Sequence, residues 1–171
     1  TRVAWPLLQL REITEEDEYA ESANKFLQWA LENQQENGWF RHNALYLRTD
    51  HALTHSIAYA IRGFLESSVL LNNDEYLAAA KKASSVLLDE FEANGKLQAS
   101  YGSEWDSSDA YSCVTGNAQM SGIWLRLYTI TEDPKYRTAA AKMNAALRGT
   151  QDVTSSNSGI RGGIKGSDPI Y

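Results

Sequence analysis

Two of the chain's three histidines, His51 and His55, stand four apart in the run Asp50-His51-x-x-x-His55. On a helix that spacing puts both imidazoles on one face, where they can share a zinc ion. The glutamate that a zincin carries beside its first histidine is missing, and the third ligand at hand is Asp50, so neither a metal nor a cofactor is expected. The pair reads instead as hydrogen bonders, with His55 a general base toward a ligand, set against plain capping and packing. Two further segments combine rings and charges: Trp39, Phe40, Arg41 and His42 in one, and Tyr101, Glu104, Trp105, Asp106, Asp109 and Tyr111 in the other. The flat apolar face of a pyranose stacks on such rings while carboxylates accept its hydroxyl hydrogens; the same residues also anchor loops. Were two of Glu104, Asp106 and Asp109 to serve as general acid and nucleophile or base, their carboxyls would have to lie about 5–9.5 Å apart. Cys113 precedes a helix whose N-terminus can lower a thiol pKa, but no adjacent base is evident in the sequence and a small buried residue is the simpler reading. The glycine-rich run 159–166, with Arg161 and Lys165, lacks the Gly-Lys-Ser/Thr of a phosphate loop and suits the rim of a cavity, where Arg161 can meet a ligand.

Positioning these groups falls to helices. The chain has 171 residues, enough to bury a core without disulfide or metal staples, and its single cysteine rules out an internal disulfide. With 22 acidic against 16 basic residues and no basic cluster, nucleic acid is not an expected partner. No apolar run approaches the roughly 18 residues that span a bilayer, so no membrane association is expected either. One unit occurs three times: ITEEDEY at 13–19, LLNNDEY at 70–76 and ITEDPKY at 130–136. In each copy an apolar helix stops before the acidic turn. A second helix starts near the tyrosine, with Ala23, Ala80 or Ala140 four residues on. Carboxylates and amides in the turn cap the free N–H groups of the new helix. Breaks follow at Asn37-Gly38, Asn94-Gly95 and the 155–159 stretch. The pattern predicts six helices, at 4–12, 16–35, 53–71, 74–92, 114–129 and 134–149, with short hairpins at 96–101 and 160–164. One domain is expected over 1–171, with repeats at about 1–45, 46–105 and 106–171, as a piece of a longer chain.

This order of helix, acidic turn, alanine-rich helix and glycine- or tryptophan-bearing loop resembles half of an α/α toroid, the fold of the six-hairpin glycosidases and of the terpenoid cyclases and protein prenyltransferases. Residues 53–66 (LTHSIAYAIRGFLE), 113–128 (CVTGNAQMSGIWLRLY) and 162–171 (GGIKGSDPIY) also resemble a bacterial family of toroid proteins associated with surface-polysaccharide genes. The resemblance implies an all-α class, three antiparallel helical hairpins forming roughly half of an (α/α)6 toroid, with the first helix of each repeat lining the central cavity. Helical geometry gives that lining a polar stripe. His55, Tyr59, Arg62 and Glu66 fall within about 60° of one another around the third helix, and the repeat offsets put Thr115, Gln119, Gly122 and Arg126, and Trp5, Gln9 and Glu12, at the matching places. The stripe can simply face water, or join Glu66 and Arg126 in a structural ion pair, or bind a ligand. The function expected is carbohydrate binding or processing, with Trp39, His51, Tyr59, Arg62, Glu66, Trp105, Tyr111, Gln119, Arg126 and Arg161 as ligand contacts. A terpenoid cyclase or prenyltransferase would need DxDD, DDxxD or a zinc set, which the sequence lacks; a non-catalytic helical scaffold is the other alternative. The partner expected is thus a carbohydrate or other small polar ligand, with a homodimer through the open half-toroid face as a further expectation.

Overall fold

The computed structural model describes residues 1–44 and 51–170, which places Asp50 outside the described residues. Six helices pair as three antiparallel hairpins: α1 (Ala4–Thr14) with α2 (Asp17–Glu32), α3 (Thr54–Leu71) with α4 (Asp74–Asn94), and α5 (Val114–Thr131) with α6 (Pro134–Arg148). At each acidic turn the first helix ends on a left-handed residue, Glu15, Asn72 or Glu132, which reverses the chain. The second helix is then capped from the same turn. Asn73 Oδ1 accepts from the Tyr76 amide at 3.1 Å, and Asp133 Oδ1 from the Lys135 amide at 3.1 Å. The first copy has no side-chain cap, and there Arg11 reaches across to Asp17 at 3.0 Å.

Packing follows the alanines. Ala23, Ala80 and Ala140 are wholly buried, which lets paired helices approach closely, and Tyr76 and Tyr136 fill the space beside them. Tyr19, their counterpart, is only half-buried, because its hairpin stands at an edge. α3 packs on both α1 and α5, while α4 meets α6 behind them, so the first helices form one layer and the second helices another. Between the layers lie Ile57, Ile61, Phe64, Leu87, Met120 and Trp124, each worth roughly 1.5–3 kcal/mol on burial.

Two short antiparallel ladders clamp the ends. β1 (Ala52–Leu53) pairs with β2 (Ser100–Tyr101), and β3 (Ser112–Cys113) with β4 (Ser167–Asp168). Each ladder joins the strand before an inner helix to the chain after its outer helix, so it closes one α/α unit. The sequence suggested local hairpins at 96–101 and 160–164 instead. Segment 96–101 pairs across the unit, and Ile164 bridges back to Gln151. Side chains reinforce the ladders, with Thr54 Oγ1 donating to the Gln98 carbonyl at 2.6 Å and Ser112 Oγ to the Leu97 carbonyl at 2.5 Å. Gly116 lets the start of α5 lie against the start of α3, since a Cβ there would stand 2.8 Å from the His55 amide nitrogen.

Candidate functional site

The polar stripe read from the third helix becomes a shared wall. Tyr59, Arg62 and Glu66 of α3 meet Trp5 and Gln9 of α1 and Gln119 and Arg126 of α5 around two adjoining cavities. One, of about 330 Å³, is lined by Arg2, Trp5, Tyr59, Arg62 and Gln119 among others, near the lower limit for small-ligand sites. The other, of about 230 Å³, is lined by Trp5, Gln9, Arg62, Glu66 and Arg126 with Val69 and Leu70. The Glu66 carboxylate bridges two helices: Oε1 accepts from Arg62 Nε at 3.0 Å and Oε2 from Arg126 Nε at 3.2 Å. Rings lie under the cations, with Arg62 Cζ 5.0 Å from the Trp5 ring and Arg2 Cζ 4.1 Å from the Tyr59 ring. Gln119 belongs to the same wall, and its Oε1 is buried with no hydrogen-bond partner among the described residues.

At the N-terminal ends of the inner helices the two histidines separate in role. His51 Nε2 lies 3.6 Å from Asp106 Oδ2, while His55 Nδ1 lies 3.8 Å from Cys113 Sγ and its ring meets Tyr59 edge-on at 5.8 Å. Burial, and after it the Arg2 charge, hold the His55 pKa below the usual imidazole value, which favours the neutral base. Cys113 caps α5, its sulfur 3.4 Å from the Gly116 amide. The base that the sequence did not reveal beside this cysteine is therefore His55, brought from the preceding repeat, and Cys113 is half-buried.

The loop residues do something different. Trp39 is 5% exposed, its ring edge-on to Trp105 at 5.2 Å, so it belongs to the core and offers no face to a ligand. Trp105 is partly buried, donating its indole N–H to the Asn37 carbonyl at 3.0 Å and packing on Tyr101. Asp109 Oδ2 takes the Ser100 amide at 2.6 Å and the Ser100 hydroxyl at 2.7 Å, which ties its loop to β2. The Tyr111 carbonyl accepts from the Ala99 amide at 3.1 Å in the same loop. Glu104 and Asp106 are exposed there, and Arg161 is exposed outside the lining of both concave cavities. Arg2 is the charged wall residue that sequence reasoning missed, because it precedes the first helix and so was not counted with the stripe. A third, shallower groove of about 660 Å³ lies between α5, α6 and the glycine-rich loop, lined by Ala118, Leu147, Arg148, Ile164 and Lys165 among others. Among the described residues no helix is long and apolar enough to cross a membrane.

No protein family matches the sequence, and no curated protein matches it either. Solved structures do resemble it. The unsaturated glucuronyl hydrolase of Bacillus sp., described as responsible for the degradation of glycosaminoglycan, superposes with a TM-score of 0.73 at 19% identity over 94% of this chain and 48% of its own. The cellobiose 2-epimerase of Bacillus thermoamylovorans does so at 0.76 and 13% identity, over 96% of this chain and 43% of its own. The GH76 alpha-mannanase of Bacteroides thetaiotaomicron gives 0.69 and 17%, over 87% and 43%. The fold is thus the α/α toroid of these structures, and the chain spans less than half their length.

Proposed function

We propose that the concave face of α1, α3 and α5 is the wall of a carbohydrate site in a polysaccharide-related α/α toroid. The observation that carries this is the cavity of about 330 Å³ in which the rings of Trp5 and Tyr59 meet the polar side chains of Arg62 and Gln119. Trp5 and Tyr59 supply ring surface for the apolar side of a sugar. The three structural neighbours are a hydrolase, an epimerase and a mannanase, so what their names share is a sugar and not a reaction. Of the acid–base groups, His55 lies against Tyr59 of this wall with its pKa lowered, while Glu104 and Asp106 are exposed on the loop that brings Asp106 to His51. The unit is read as one domain over 1–171, its open side closed by further hairpins or by a second copy.

Calorimetric titration of neutral and acidic oligosaccharides into the chain tests the reading, with Trp5→Ala and Gln119→Leu beside it. Gln119→Leu is expected to keep or raise the melting temperature, because it removes a buried carbonyl that has no partner among the described residues, while weakening saccharide binding by tenfold or more. A Gln119→Leu protein that binds every saccharide as the parent does would sink the assignment of this wall.

A further inference from the structure

The two concave cavities carry a charge opposite to that of the chain. The chain is acidic, yet the side chains lining these cavities include three guanidiniums, Arg2, Arg62 and Arg126, against one carboxylate, Glu66. Glu66 is the most covered of the ionic trio, 17% exposed, and accepts one Nε–H from each of Arg62 and Arg126. Among the described residues no hydrogen bond engages the terminal nitrogens of either arginine, and both side chains stay roughly two-fifths exposed. A guanidinium has five N–H donors, so each retains four for something else. Among the described residues Arg2 makes no ion pair, and it lies over Tyr59. A structural tie between α3 and α5 needs only Glu66 and Arg126. The surplus cations, held by the carboxylate and by ring faces with their donor edges unused, are arranged for an anion from outside.

We infer that this cleft takes an acidic saccharide, its carboxylate or sulfate ester held by the terminal nitrogens of Arg62 and Arg126 while the sugar ring lies toward Trp5 and Tyr59. The inference rests on the reading of this wall as a sugar site. Arginine suits the task because its planar fork matches the oxygen pair of a carboxylate or sulfate and stays charged at any working pH. A neutral sugar in the same place would leave charged donors covered and unpaired, so the preference for an anion comes from the cost of the alternative as well as from the new bonds.

The test is calorimetric titration of the chain with trimers of galacturonate, glucuronate and mannuronate, their methyl esters, and cellotriose with and without O-sulfation, at 50 and 500 mM salt. At least one anionic trimer is expected to bind tenfold or more tightly than its uncharged counterpart, more weakly at high salt. Whether the carboxylate or the sulfate series gives that preference identifies the source of the anion. Arg126→Gln and Arg62→Gln should bring the acid down to the affinity of its ester and leave the ester unchanged. Arg126→Lys, which keeps the charge and guards against misfolding, should lose most of the discrimination while its circular dichroism and melting stay native. Uncharged trimers binding as tightly as anionic ones would overturn the inference and leave the sugar reading standing. Acid binding untouched by the paired Arg62→Gln and Arg126→Gln substitutions would overturn it as well, and silence from every saccharide would overturn both.

Discussion

His55 shows how one side chain reports on the wall it belongs to. Its imidazole is partly covered by Tyr59 and Cys113 and faces the Arg2 charge, so the folded chain disfavours protonation relative to the unfolded one. An unfolded histidine titrates near pH 6.5. In the interval below that value the unfolded chain binds a proton that the folded chain declines, so acidification favours unfolding. The contribution of His55 to stability is therefore complete above about pH 6.5 and is lost as the pH falls through the lowered folded value. Urea midpoints at pH 7.5, 6.5 and 5.5 should decline more steeply for the parent chain than for His55→Gln. Parallel declines would mean that His55 is as solvated in the fold as in the unfolded chain, and that the contact with Cys113 does not persist in solution.

Among the elements, the ends of α3 and α5 are where local preference and tertiary packing oppose each other. Gly116 sits in the first turn of α5, where alanine would be favoured by about 1 kcal/mol on helix propensity. The added Cβ would lie 2.8 Å from the His55 nitrogen and 2.9 Å from Thr54 side-chain carbons, and backbone cannot swing aside. Overpacking of this kind costs about 1–3 kcal/mol, so the clash outweighs the propensity. Gly116→Ala should lower the melting temperature by a few degrees, and a higher melting temperature would show that the two helix ends do not abut. Nothing in the sequence announces this contact, since Gly116 and His55 are 61 residues apart and belong to different repeats. The same holds for Cys113 with His55 and for the two-residue ladders, which are too short to show alternation. What the sequence does reveal is whatever repeats with a helical period: the six helices, the capped turns and the polar stripe. The misjudged boundaries have local causes. Helix α2 stops at Glu32, not at 35, because Asn33 Nδ2 bonds the Trp29 carbonyl at 2.8 Å and Gln34 reaches the Ala79 carbonyl of the next hairpin at 2.9 Å. Helix α4 runs past 92 to Asn94, where Gly95 takes the left-handed turn. Trp39 looked like a sugar platform because its type and loop position are the same whether its ring faces solvent or the core.

At the scale of the molecule, stability is unevenly spread along the wall that the ligand would touch. α3, flanked on both sides, buries eleven of its eighteen residues, whereas α1 buries two of eleven, Ala4 and Leu8. Segments with few buried contacts open at lower free energy than the whole fold, so amides of α1 should exchange with solvent well before those of α3. Yet α1 supplies Trp5 and Gln9, and Arg2 precedes it, so a ligand in the concave cavities can be held only while α1 is closed. Opening of α1 and binding are therefore linked. Saccharide at 100 times its dissociation constant should slow exchange in α1 by about 100-fold, equivalent to roughly 2.7 kcal/mol, and amides of α6 far less. Hydrogen exchange with and without the tightest-binding trimer measures both. Protection concentrated on α6 and the glycine-rich loop, with α1 unchanged, would move the ligand to the groove between α5 and α6, whose lining, among the described residues, has neither a ring to stack on nor a carboxylate to set the guanidinium of Arg148.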